Sequence, residues 1–305
     1  MRNVASLITD VRTISRNVAN QDGTYSITDS EILIYLNDAQ VKCQNKLSSS
    51  KNIAKIFVTE QILSVVGAQA DYTLTDRVLL NKQIENVEFS ATGATSDYVR
   101  LEKVHFIQRD TYQTTYPSGY YKRGNQIVLQ PTPSTSQGSI RVMYERQLDD
   151  LAASIDVVNG TPSGTSIVLT TGYTLNAGNY INVVDALGNV MLRNALVSSY
   201  NAGTKTITLA ANVSTYLVGS YALSNLASGI VVLGIYSTNV SQLPDSCERY
   251  LIHSAAADVF GKDSSNDFAR QRDKADEILK EIIETFKAQT SEVQFIPQIN
   301  RYEWF

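Results

Sequence analysis

From about Val157 to Pro244 the chain carries only three charged residues, Asp185, Arg193 and Lys205, while the stretches on either side are dense in charge. So abrupt a change within 305 residues restricts the fold more than any single motif does. A charge-poor stretch stays unfolded when it also lacks apolar residues. Here β-branched residues are abundant. SIVLT, NYINVVDALGNVMLRNALVSSY and TKTITLA alternate in character, and Leu187-Gly188-Asn189 and Asn201-Ala202-Gly203 supply turns. The pattern predicts an all-β module of several short strands over residues 157–240. The flanking parts read as halves of one domain, so the module is expected to be an insertion. A tandem independent domain is the alternative.

Two amphipathic helices are expected first. Val4, Leu7, Ile8, Val11, Ile14 and Val18 fall at spacings of three and four, and NQDGTYS ends that run. Thr28-Asp29-Ser30-Glu31 is a capping-box pattern, in which the Thr28 hydroxyl and the Glu31 carboxylate satisfy backbone donors at a helix start. Ile32, Tyr35, Leu36, Ala39, Cys43 and Leu47 supply the buried stripe of this second helix. Lys42, Lys46 and Lys51 gather toward its end, where the helix dipole favours cations. Beyond Ser50 the period becomes strand-like: KIFVTEQILSVV, ADYTLT, KQIENVEF and DYVRLEKVHF are rich in β-branched and aromatic residues. Arg123-Gly124-Asn125-Gln126 gives turn chemistry between Tyr120-Tyr121-Lys122 and Ile127-Val128-Leu129, which predicts a hairpin. The prolines of PTP end it, and SIRVMYERQ (139–147) is the next strand. Helices enclosing an antiparallel β meander place residues 1–156 in the α+β class.

After the module, Leu243-Pro244-Asp245 opens a helix with Tyr250, Leu251, Ser254, Ala255 and Val259 inward and Gly261 at its end. A closing helix from Phe268 to Gln289 sets Phe268, Ala275, Ile278, Leu279, Ile282, Ile283 and Phe286 on one stripe, with charges elsewhere. Residues 241–290 thus complete the helical part begun at the N-terminus. The whole stretch 264–305 is expected to organise the rest. Residues 291–305 form an extended tail with Phe295, Ile296, Pro297, Ile299, Tyr302, Trp304 and Phe305, including the only Trp of the chain. Pro297 rules out a continuous helix there. Aromatic side chains dominate interface energetics, so the tail reads as an anchor for another subunit, with folding back on its own core as the alternative.

Net charge is -4 and the pI about 5.3, which supplies no basic field for gripping nucleic acid. Cys43 and Cys247 lie in helical patterns and read as small buried hydrophobes. The opening residues lack the apolar run of a signal peptide, and GIVVLGIY (229–236) falls far short of a membrane span. The chain is therefore expected to be soluble and cytosolic at synthesis, with the Asn-x-Ser/Thr triplets at Asn159, Asn212 and Asn239 accidental.

Catalytic chemistry finds little support. GTPSGTS (160–166) lacks the lysine of a phosphate loop, and His-Glu-x-x-His, Cys-x-x-Cys and Gly-x-Ser-x-Gly are all missing from the sequence. His253 follows Cys247 by six residues, on a different helix face, and His105 is remote, so no shared metal is expected. Asp149-Asp150 and Glu85/Glu88 are candidate acidic pairs, but neighbours on a strand point to opposite faces. A carboxylate mechanism is not expected from them. No catalytic, metal-binding or cofactor-binding residue is assigned. Seventeen tyrosines without accompanying basic residues suit contact with other proteins better than nucleic acid.

The order of elements resembles the head-to-tail adaptor (connector) proteins of tailed bacteriophages, the short-tailed type above all. Carrying the resemblance are the Asn37-Asp38-Ala39 segment of the capped helix, the hairpin from Tyr121 to Pro133 and the Leu-Pro-initiated, alanine-rich helix Leu243 to Phe260. The charged helix FARQRDKADEILKEIIETF then closes the pattern. It covers roughly residues 1–150 and 240–290. The β insertion departs from the smaller adaptors. The resemblance implies a non-enzymatic virion protein at the head-tail junction, made in the host cytoplasm. It implies a ring of twelve copies beneath the portal protein, around a DNA channel that does not bind DNA specifically, with a tail or nozzle protein below. It also implies that the C-terminal segment docks on the portal, which agrees with the separate reading of Phe295 to Phe305. The rival expectations are a virion-associated cell-wall hydrolase and a host-surface glycan-binding module in residues 157–240.

Overall fold

A computed structural model describes residues 2–16, 26–49, 51–79, 84–105, 116–262 and 267–292. It is of the α+β class, with helices and largely antiparallel sheets. The helices are α1 (Val4–Ser15), α2 (Asp29–Ser48), the single turn α3 (Lys51–Ala54), α4 (Glu248–Lys262) and α5 (Asp267–Glu292). Val18 lies outside the described residues. The capping box forms at the start of α2: Thr28 N donates to Glu31 Oε2 at 3.1 Å, and Glu31 N donates to the Thr28 hydroxyl at 3.3 Å. Among the described residues no helix is long and apolar enough to cross a membrane.

Residues near both ends of the sequence share one core. Val4, Leu7 and Val11 of α1, Ile32, Leu36 and Leu47 of α2, Leu251 and Ala255 of α4, and Ile278 and Ile282 of α5 belong to a single apolar cluster. Its centre is α4. Tyr250 to Ala257, Val259 and Phe260 are all buried, because α1, α2 and α5 pack around this one helix. The sequence suggests a single inward stripe for it. With neighbours on several sides the whole circumference is covered, and the small residues of HSAAAD let those neighbours approach. The chain is thus organised around α4 rather than around its last forty residues. Gly261 also does not end the helix, which runs on to Lys262. There the Phe268 ring lies against the glycine, and an added Cβ would stand 3.0 Å from it.

The strands of the first half are β1 (Val58–Ser64), β2 (Asp71–Thr73), β3 (Ile84–Ser90), β4 (Val99–Arg100), β5 (Glu102–Lys103), β6 (Gly119–Arg123), β7 (Gln126–Gln130) and β8 (Ser139–Glu145). The β6–β7 hairpin turns through Gly124 and Asn125, and of these two only Gly124 has a positive φ, +59°. These strands do not run as a meander. They form two four-stranded sheets, ordered β1-β8-β3-β4 and β2-β7-β6-β5. A single layer cannot cover the inward faces of both β7 and β8. Stacking the sheets buries Ile127 and Leu129 against Ile140, Val142 and Tyr144 in one shared cluster.

The later strands are β9 (Asp150–Leu151), β10 (Ser154–Val157), β11 (Ser166–Val168), β12 (Tyr180–Val184), β13 (Val190–Asn201), β14 (Thr206–Leu209), β15 (Ile230–Leu233) and β16 (Ser237–Thr238). Six of them form one sheet in the order β10-β15-β12-β13-β14-β11. Its two edges meet at an antiparallel bridge between Val158 and Leu169. There Thr170 N donates to Val157 O at 2.9 Å and Asn159 N to Val168 O at 2.8 Å. The sheet is therefore closed into a small barrel around its own apolar core. Closure removes the open edges that a charge-poor sheet cannot otherwise protect. Two of the three sparse charges have local partners. Asp185 accepts from Leu187 N and Asn189 N in the β12–β13 turn, and Lys205 Nζ donates to Thr170 O. Arg193 leaves the barrel altogether.

Candidate functional site

The chain passes from the sandwich to the barrel through residues 146–153 and returns to α4 through residues 234–244. The two crossings lie side by side, with β9 and β16 paired in parallel. So short a ladder leaves backbone groups unsatisfied, and buried ones need partners. Helix α2 supplies them. Gln44 Nε2 donates to Arg146 O at 2.8 Å, and Gln44 Oε1 accepts from Leu148 N at 3.2 Å. Gln40 Nε2 donates to Asp149 O at 2.8 Å. Asn37 accepts from Leu151 N at 2.7 Å and donates to Leu151 O at 3.0 Å. Positions 37, 40 and 44 follow the helical repeat, so the three amides line one face beside the apolar stripe. From the return crossing, Gln242 Oε1 accepts from Asp149 N at 3.0 Å.

Arg193 reaches this junction from β13 of the barrel. Its two terminal nitrogens donate to the two Asp149 oxygens at 2.8 and 3.0 Å. A further contact to Asp76 Oδ1 measures 3.1 Å. Arg193 is 8% and Asp149 2% exposed, so this is a buried, bidentate pair. Burial pushes the Arg193 proton affinity down, but Asp149 and then Asp76 outweigh it and leave it above the ordinary value. Arg77 grips the next residue, Asp150, at 3.0 Å and donates to Leu148 O at 3.0 Å. Both guanidinium groups lie near the Tyr236 ring, at 5.0 Å for Arg77 and 5.5 Å for Arg193.

The acidic pairs are thus engaged in structure. Asp149 and Asp150 are each held by a different arginine, and Glu88 Oε2 accepts from Arg141 Nε at 2.6 Å. Glu85 is exposed on β3. His253 is buried, with Nδ1 3.0 Å from Gln271 Oε1 of α5. Burial pushes its pKa down, and Lys274 and Arg249 add to that effect. His105 is exposed and remote. Cys43 and Cys247 are both buried and reduced inside the helical cluster. The hydrogen bond Cys43 shares with Cys247, and then burial, hold the proton on Cys43.

The tail residues singled out from the sequence, Phe295, Ile296, Pro297, Ile299, Tyr302, Trp304 and Phe305, lie outside the described residues. The role of the α2 amides Asn37, Gln40 and Gln44 is not legible in the sequence, for a physical reason. Asn and Gln on a helix face look like solvated positions, and their partners are more than a hundred residues away. Arg193 did carry a signal, as the one arginine in a stretch with almost no charge.

Over residues 2–173, more than half of the chain, the sequence matches the family described as SU10 adaptor protein. The matched span contains α1, α2, the sandwich and the outgoing crossing, with Asn37, Gln40, Gln44, Asp76 and Asp149. It stops after β11, so Arg193 and the returning helices lie beyond it, as does the 240–290 portion of the resemblance drawn from element order. No curated protein matches the chain.

Proposed function

Because this chain belongs to the SU10 adaptor protein family, we propose that it forms a ring of twelve copies that links the portal of a phage head to the tail around the DNA channel. The family match over residues 2–173 carries this reading. An adaptor is a structural part of the particle, and its work is fitting against neighbours. The fold suits that work. Asp149 holds the barrel to the rest through Arg193, and the mild net charge of -4 leaves DNA free to pass.

In this reading residues 1–156 and 241–290 make the body of the adaptor, and residues 157–240 are an inserted barrel directed at the tail, the nozzle or the periphery. Residues 291–305 dock on the portal through Phe295, Ile296, Pro297, Ile299, Tyr302, Trp304 and Phe305. Mixing the purified chain with portal protein and imaging the product tests it directly. The full chain should decorate the portal as a closed ring. A chain ending at residue 290 should keep its melting temperature and fail to bind. Normal portal binding by the shortened chain overturns the docking assignment, and a full chain that never assembles on the portal overturns the ring.

A further inference from the structure

Two edges of one sandwich sheet are open among the described residues. In the order β1-β8-β3-β4, β1 pairs only with β8 and β4 only with β3. The β1 edge exposes Val58 and Ile62, the latter at 55%, and β4 exposes Val99 at 67%. Exposed apolar edges invite a further strand. A ring needs two different surfaces on each copy that fit one another head to tail. Opposite edges of a sheet provide such a pair. Their directions also agree. β1 is antiparallel to β8, β8 to β3 and β3 to β4, so β1 of one copy can continue the sheet past β4 of the next as another antiparallel strand.

The register follows from which side chains share a face. Ile62, Arg141, Glu88 and Arg100 stand opposite one another across the four strands. Glu60 and Tyr98, two positions from Ile62 and Arg100, therefore point to the same outer side. The Tyr98 ring lies there, 4.4 Å beneath the Arg141 guanidinium. Arg141 already feels the Glu60 charge, but among the described residues neither Glu60 nor Arg100 forms a direct ion pair. Setting Glu60 against Arg100 of the next copy also sets Ile62 against its Tyr98, an ion pair and an aliphatic–aromatic pair at the right two-residue spacing. A foreign strand would have to supply a cation to one edge and a carboxylate to the other. A second copy carries both.

Resting on the ring-forming adaptor reading, the geometry points to the β1 edge of one copy pairing antiparallel with the β4 edge of the next, Glu60 opposite Arg100 and Ile62 opposite Tyr98. Mass photometry of the full chain, alone and with portal protein, tests it. Glu60→Arg and Arg100→Glu should each weaken ring formation at least about tenfold, because each sets like charges together. The double variant Glu60→Arg/Arg100→Glu should recover most of the loss. In a second measurement, Glu60→Cys/Arg100→Cys oxidised by copper phenanthroline should give a ladder of covalent multimers on a non-reducing gel. The native cysteines are buried and do not compete. That ladder decides the matter if a charge variant fails to fold. Single variants that assemble like the parent, a double variant no better than the singles, or a chain that stays monomeric on the gel overturn the edge pairing while the ring stands. A parent chain that forms no ring, alone or on the portal, overturns the ring and the pairing with it.

Discussion

Between residues 154 and 233 every strand of the barrel pairs within the same stretch, whereas the helical layer brings residues 4–57 together with residues 243–282. The barrel closes on short-range antiparallel ladders and encloses a core of its own. The helical layer has no core until both ends of the chain are in place, and closing so long a loop is entropically slow. Regions made in such different ways should fail differently. What couples them is a narrow polar bridge, in which Arg193 carries the barrel's one long-range charge and the α2 amides carry the backbone.

The largest expected effect breaks that bridge. Arg193→Ala strands the buried Asp149 carboxylate, which among the described residues keeps Gln242 Nε2 at 3.1 Å, and removes the Arg193 contact of Asp76. Removing one partner of a buried pair costs about 3–5 kcal/mol. Chemical denaturation should show that loss. It should also split one transition into two, since each region retains its own core. A single cooperative transition with a loss under about 1 kcal/mol would mean the pair contributes no more than a surface one.

Smaller changes separate the regions. Gly229→Ala puts a methyl group against Val183 and within 2.9 Å of Met191 Cε inside the barrel. Overpacking of this kind costs about 1–3 kcal/mol. Gln44→Ala leaves Arg146 O and Leu148 N without their α2 partner, also costing about 1–3 kcal/mol. Hydrogen exchange resolves the two. The glycine variant should lose protection in β12 and β15, and the glutamine variant in α2 and the outgoing crossing. Equal loss everywhere in both variants would show that the regions unfold as one unit.

How far the sequence discloses this division depends on the range of the interactions. The Thr28–Glu31 box, the apolar stripes of α1, α2 and α5, and the Gly124-Asn125 turn are local rules, and each is legible from a few consecutive residues. The short strands of the barrel are legible too, from alternation and the turns at Leu187-Gly188-Asn189 and Asn201-Ala202-Gly203, although closure through Val158 and Leu169 is not. Strand order in the sandwich is a long-range fact, since β8 finds β1 and β3 across the chain. The amide ladder of Asn37, Gln40 and Gln44 is the least legible feature. Propensity and pattern treat those residues as surface, and only the exposed backbone of a remote crossing explains their burial.

The subtlest expected difference is in pH. In the helical layer, His253 has a pKa below the ordinary 6.5, chiefly because it is buried. In the barrel, burial pushes Asp156 up, but hydrogen bonds from Thr171 N, Val157 N and Gly172 N outweigh it, and its pKa lies below the ordinary 3.8. Both folded values are depressed, so in each case the unfolded chain takes up its proton first as pH falls. Each group therefore adds stability above its unfolded pKa and loses it as pH drops to the folded one. The windows differ. His253 acts from about 6.5 downward and Asp156 only from about 3.8 downward. Acidification should loosen α4 and α5 first and the Thr171–Gly172 turn of the barrel later, in the order read by pH-stepped hydrogen exchange. His253→Gln should flatten the first step and leave the second unchanged. A barrel that loosens before the helices would reverse the assignment of the two windows.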